Sequence, residues 1–106
     1  MKSRTQKYFL RKQNHFLAGI GQPIDIQVKW QIIENGIVVG ETPDTLDNSR
    51  DLVNDLGYTP NEYRWLCIGL KQIVNRQNRD AVLKCSDVYA AATVGACIKL
   101  VMDTLK

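Results

Sequence analysis

Ile24, Ile26, Val28, Trp30 and Ile32 alternate with Asp25, Gln27, Lys29 and Gln31. A period of two predicts a half-buried strand, with Trp30 on its core face. Asn35-Gly36 follows, a dipeptide suited to a type I′ turn because both positions tolerate positive φ. Ile37, Val38 and Val39 supply a return strand that Gly40 and Pro43 end. Two strands alone are marginal, so the expected hairpin needs helices on its apolar face or a third strand, for which Tyr8–Lys12 is available.

Beyond Pro43 the spacing turns helical. Leu46, Leu52, Val53 and Leu56 fall within about 120° of a helical wheel, and Gly57 sits where a helix-ending glycine belongs. Thr59, Pro60 and Glu62 then occupy the N-cap, first and third positions of a capping box. From there Tyr63, Leu66, Cys67, Leu70, Ile73 and Val74 make one stripe running to Asn78. Residues 79–85 suit a short strand or a helical turn equally. Ser86 is placed to cap a last helix with the stripe Ala91, Val94, Ile98, Val101, Met102 and Leu105. The fold expected is α+β: an antiparallel β-hairpin, extended to three strands if Tyr8–Lys12 joins, packed against three helices. A single compact domain over residues 1–106 is expected, with residues 1–6 as a flexible basic tail.

Composition agrees with an ordinary globular domain, at 44% apolar and 24% charged residues. Cys67, Cys85 and Cys97 are odd in number and lack C-x-x-C spacing, which predicts buried thiols in a reducing compartment. The basic start is followed only by short apolar runs broken by Arg11, Lys12, Gln13 and Asn14, unlike a secretory signal. Val88 to Met102 is interrupted by Lys99 and too short to span a bilayer. A cytoplasmic protein without a membrane partner is the expectation.

Charge changes the picture more than composition does, because it comes in blocks. Residues 1–16 hold five bases and no acid. Residues 41–62 hold six acids against Arg50 alone, a balance of −5, and residues 63–84 hold five bases against Asp80, a balance of +4. The net charge of +3 is the remainder of these opposing regions, and such a surface suits a macromolecular partner. Asp47, Asp51 and Asp55 recur every four residues, so a helix would carry them along one face, as a solvated surface or as a negative ridge docking on a basic partner. Trp65 and Ile68 fall opposite the Tyr63–Leu70–Val74 stripe, flanked by Arg64 and Lys71. They are either a second buried face or an exposed patch of the residue types enriched at binding hot spots.

The run Asp51 to Leu66 resembles the helix-turn-helix pattern, with Gly57 at the turn, Thr59 at the cap, and Leu56 and Leu66 at packing positions. Val53, Tyr58 and Tyr63 are bulkier than that pattern's usual residues. The resemblance implies a DNA-reading helix whose Asn61, Glu62, Arg64 and Trp65 approach the major groove. Lys2, Arg4, Lys7, Arg11 and Lys12, interleaved with Tyr8 and Phe9, suit the tracking of phosphates with an aromatic stacked on a base. Along the last helix Tyr89, Ala96 and Leu100 form a second apolar line, beside small residues that permit close helix approach or a two-fold dimer contact.

Catalytic chemistry has little support. His15 stands alone among bases, Ser3, Ser49 and Ser86 lack a nucleophile-elbow context, and Gly19-x-Gly21 precedes an expected strand and lacks a phosphate-binding lysine. Neither a cofactor nor a metal is expected. The leading expectation is a non-enzymatic binding protein that regulates or inhibits a larger protein or nucleoprotein target, of a size fitting the accessory inhibitors that mobile elements encode. Its contacts would be Trp65, Ile68, Arg64, Lys71, Asp47, Asp51 and Asp55. The alternatives are a nucleic-acid-binding regulator using the basic arm with Asn61 and Arg64, and a structural homo-oligomer built on the last helix.

Overall fold

The computed structural model describes residues 21–106. Among them lie four helices: α1 (Ile24–Gly36), α2 (Pro60–Gln77), α3 (Cys85–Ala90) and α4 (Val94–Thr104). They contain no sheet and no hairpin; the only β-type pairing is one antiparallel bridge between Asp51 and Thr93. The expected α+β architecture is therefore replaced by a helical one, and the proposed third strand, Tyr8–Lys12, lies outside the described residues together with the basic tail.

The segment expected to form the first strand is α1. Ile24, Val28 and Ile32 are spaced by four as well as by two, so the same positions also read as one helical face. Between them Gln27, Gln31 and Asn35 make a second four-spaced row. These amides are buried with Val28, Ile32, Ile33 and Glu34, which leaves α1 enclosed on most of its circumference. Enclosure of polar and apolar rows together is what made the helix look like an alternating strand.

The buried amides have partners. Gln27 Nε2 donates to the carbonyl of Gln22 at 2.7 Å, and its Oε1 accepts from Arg76 Nη2 at 3.0 Å. Asn35 Nδ2 donates to both the backbone carbonyl and Oε1 of Gln31, at 2.8 and 3.0 Å. Gly69 of α2 lies directly against this row. A Cβ there would collide with Gln31 Oε1 and stand 2.8 Å from Gln31 Cδ. The glycine thus lets α2 approach the amide row closely, a role its helix propensity opposes.

Asn35-Gly36 closes a helix instead of making a hairpin turn. Ile37 takes the left-handed conformation (φ 49°), and the Val38 N–H returns to the carbonyl of Ile33 at 2.9 Å, in the manner of a Schellman cap. Gly36, the last residue of α1, leaves room for Tyr58 to pack over it; a Cβ there would strike the Tyr58 ring. The Tyr58 hydroxyl reaches past it to donate to the carbonyl of Ile32 at 2.6 Å.

Residues 41–57 form turns where a helix was expected. The aspartates compete with the helix for backbone N–H groups. Asp51 Oδ1 accepts from Val53 N and Asn54 N at 3.0 and 2.8 Å, and Asp55 Oδ2 accepts from Asp51 N at 2.8 Å. Leu46 and Leu52 nevertheless reach the core. Gly57 does adopt positive φ (73°), ending a single turn and delivering the chain to Tyr58.

The α2 segment matches its expected form. Thr59 and Glu62 make the capping box, with Glu62 Oε1 accepting from Thr59 N at 3.0 Å, and Tyr63, Leu66, Cys67, Leu70, Ile73 and Val74 are buried. The expected last helix is split. The chain at 48–52 runs along 92–95, exchanging Leu52 N to Ala92 O (2.9 Å), Val94 N to Arg50 O (3.1 Å) and Gly95 N to Asn48 O (2.8 Å). Those bonds hold Ala91–Thr93 extended, and Thr93 Oγ1 starts α4 by accepting from Ala96 N at 3.1 Å. Val88, Val94, Cys97 and Val101 are buried, whereas Met102 is exposed.

Cysteine use departs from the expectation of three free thiols. Cys67 of α2 and Cys85 of α3 are joined by a disulfide, with Cα atoms 5.5 Å apart. The cross-link closes a separation of 18 residues and restrains a helix only six residues long, for a stabilisation of about 3 kcal/mol in the chain-entropy account. Cys97 is the free thiol, and burial pushes its pKa up to about 12.

Two predictions follow from this packing. An aromatic disulfide reagent at pH 8 should find no reactive thiol in the native chain, one after denaturation, and three after denaturation with reduction; a second thiol before reduction would contradict the Cys67–Cys85 bond. At an exposed helix position Gly→Ala gains about 1 kcal/mol, but Gly69→Ala should lose about 1–2 kcal/mol in urea unfolding because it displaces the buried Gln31 amide. Part of that loss should return in the Gly69→Ala/Gln31→Ala double variant, whose coupling reports the contact.

Candidate interaction surface

The helical period gives α2 a second face. Asn61, Arg64, Trp65, Ile68, Lys71, Gln72 and Asn75 are all exposed and fall opposite the buried stripe. Trp65 is 53% exposed and Ile68 47%, so the expected apolar pair is on the surface and not in a second buried layer. Arg64 and Lys71 are seven residues apart and lie about 20° from one another around the helix, at one edge of the stripe, with Trp65 at the other edge. Ile68 lies between the two edges. Neither Arg64 nor Lys71 takes part in an ion pair among the described residues, where Arg50 pairs with Glu41 and Asp55, and Lys99 and Lys106 with Asp103.

Two depressions flank Arg64. One, of about 280 Å³, is lined by Asn61, Arg64, Trp65 and Ile68. The other, of about 500 Å³, is lined by Val53, Pro60, Tyr63 and Tyr89 together with Tyr58, Thr59 and Arg64. The larger one is built by an aromatic file. Tyr58 and Tyr63 meet edge to face with ring centroids 5.4 Å apart, and Tyr63 meets Tyr89 in the same way at 6.4 Å.

The Tyr58 and Tyr63 hydroxyls point into the fold. Tyr58 bonds Ile32 O, and Tyr63 donates to Ala91 O at 2.8 Å. Burial raises the Tyr63 pKa, with smaller contributions from Cys97 and Asp51, and keeps it a donor. The Thr59 hydroxyl is likewise engaged, with Glu62 Oε1 at 2.7 Å. What the larger depression offers is mostly ring and aliphatic carbon.

Arg64, Trp65, Ile68 and Lys71 follow from the helical period, whereas the groove contributions of Val53, Pro60, Tyr63 and Tyr89 carry no signal in the sequence pattern. Tyr63 is in the core, as expected, and also lines the groove, where it meets Tyr89 of α3. Asp47, Asp51 and Asp55 do not form the expected ridge, because no helix carries them. Asp47 Oδ2 accepts from the Ser49 hydroxyl at 2.7 Å, which holds its pKa below the usual carboxylate value, while Asp51 and Asp55 cap local turns.

The helix-turn-helix resemblance loses its first helix, since Leu52–Leu56 is turn. Asn61 and Arg64 stand exposed on α2, and Lys2, Arg4, Lys7, Arg11 and Lys12 lie outside the described residues. The second apolar line expected along the last helix is divided between Tyr89 on α3 and the half-buried Ala96 and Leu100 on α4.

Among the described residues, no three His, Cys, Asp or Glu side chains gather as metal ligands. No helix among them is long and apolar enough to cross a membrane. No family model, curated protein or solved structure matches the chain.

Exposure predicts opposite responses on the two faces of α2. Trp65→Ala should change unfolding stability by no more than about 0.5 kcal/mol, as expected for a surface site. Tyr63→Phe should cost about 1–2 kcal/mol by stranding the Ala91 carbonyl. Urea melts of the two variants check this; a large loss from Trp65→Ala would mean that its ring is packed in the fold.

Proposed function

We propose that this is a small non-enzymatic binding protein that regulates or inhibits a larger protein or nucleoprotein target through the outer face of α2. The observation that carries the reading is the pairing of exposed Trp65 and Ile68 with a fully packed inner face on the same helix. Single exposed apolar residues are ordinary on a folded surface, but Trp65 and Ile68 lie three residues apart on one helix face and line the same depression beside Arg64. Tryptophan and arginine side by side are the residue types that most often dominate binding energy. The segregation of charge into opposing blocks supports a macromolecular partner, and an accessory inhibitor of the mobile-element kind fits the size.

The cytoplasmic location is also a proposal, and the Cys67–Cys85 disulfide bears directly on it. Disulfides are rare where glutathione and thioredoxin keep thiols reduced. Acid-trapping the protein from cells before thiol titration decides the point: Cys67 and Cys85 recovered reduced support the cytoplasm, and recovery as a disulfide places the protein in an oxidising compartment.

Affinity capture of the full chain from its native lysate, with and without nuclease, tests the functional reading. A stoichiometric protein partner that survives nuclease is expected, and Trp65→Ala should weaken that complex by more than about 2 kcal/mol with the fold intact. A complex indifferent to Trp65→Ala overturns this use of the surface. Partners lost on nuclease treatment would favour the nucleic-acid reading.

A further inference from the structure

We infer that the outer face of α2 recognises an acidic amphipathic segment of a partner protein, in which a carboxylate on Arg64 is flanked by apolar side chains seated in the depressions on either side. The inference rests on the proposed binding role of this face and specifies the partner's chemistry.

Arg64 lines both depressions. An occupant that fills the two at once contacts Arg64 from both, and Arg64 has no ion pair among the described residues to neutralise it. Covering an unpaired cation with an apolar segment removes its hydration without replacement, whereas a carboxylate at that point supplies charge-assisted bonds. Tyr58 and Tyr63 present ring carbon to the larger depression, because their hydroxyls are committed to backbone carbonyls. The smaller one presents the faces of Trp65 and Ile68.

Lys71 extends the pattern. It lies two turns beyond Arg64 on the same edge, about 10 Å along the axis at 1.5 Å per residue. A partner helix running alongside α2 would meet both cations with acids about seven residues apart and lay its apolar residues toward Trp65 and Ile68. A nucleic acid fits less well. Val53, Pro60 and the tyrosine rings give the larger groove aliphatic and aromatic walls, which offer a phosphate backbone no polar partner.

Selection from a phage-displayed library of random peptides about twelve residues long, against the immobilised full chain at physiological salt, tests the inference. Enriched peptides should carry an acid between two apolar residues. Their synthetic versions should bind at least about tenfold more weakly to Arg64→Glu and to Trp65→Ala, and a lysine in place of the peptide's acid should restore binding to Arg64→Glu.

Peptides that need Trp65 but carry no acid, or that ignore Arg64→Glu, overturn the acidic class while the binding surface stands. Peptides indifferent to both substitutions, or no enrichment at all, overturn both. A single-stranded oligothymidylate that binds more tightly than the peptides and loses affinity steeply with salt overturns the inference in favour of nucleic acid.

Discussion

The rest of the structure depends on the close seating of α1 on α2 at Gly69. On α1 Asn35 Nδ2 bonds both the carbonyl and the side chain of Gln31, and Gln27 is tied to Arg76 of α2. A polar row of this kind is tolerated inside a core only when its hydrogen bonds are complete and the opposing surface leaves room. Gly69 leaves that room. With α1 so placed, its last turn receives Tyr58 over Gly36, and Tyr58 positions Tyr63. Tyr63 in turn holds the carbonyl of Ala91 at the break between α3 and α4. A single small residue thus sets a chain of contacts that ends at the wall of the larger surface groove.

How far the sequence revealed this depended on whether each signal had one physical meaning. The Thr59-Pro60-x-Glu62 start and the stripe from Tyr63 to Val74 permit only a capped amphipathic helix, and α2 was legible from cap to end. The segment from Ile24 to Ile32 permits two readings, because apolar residues at every second position also recur at every fourth. The strand reading assumed that the glutamines face solvent; they face α2. Asn35-Gly36 reinforced the error, since the dipeptide ends helices as readily as it turns hairpins. The missing helix near Asp51 reflects side chains that bond their own backbone, a competition that spacing alone does not reveal. The break at Ala91–Thr93 depends on pairing with residues 48–52, a contact distant in the chain. The Cys67–Cys85 bond depends on the same tertiary arrangement.

The surface was legible in its parts and not in its shape. Trp65, Ile68, Arg64 and Lys71 follow from the helical period of α2 once the inner stripe is known. The aliphatic and aromatic walls supplied by Val53, Pro60 and Tyr89 come from three separate stretches of chain that only the fold unites. Their union makes Arg64 a residue shared by two hollows and not simply a solvated charge beside a tryptophan. The disulfide contributes indirectly, since α3 is short, buries Val88 alone, and carries Tyr89.

The identity of α1 decides whether that whole arrangement stands. Backbone NMR of the full chain at neutral pH, with Cα secondary shifts over residues 24–36 and nuclear Overhauser contacts to α2, measures it directly. Uniformly helical shifts, with contacts between the Gln31 side chain and Gly69, are the predicted result. Extended shifts over Ile24–Ile32, with cross-strand contacts to Ile37–Val39, would contradict the seating of α1 on α2 and the groove built upon it.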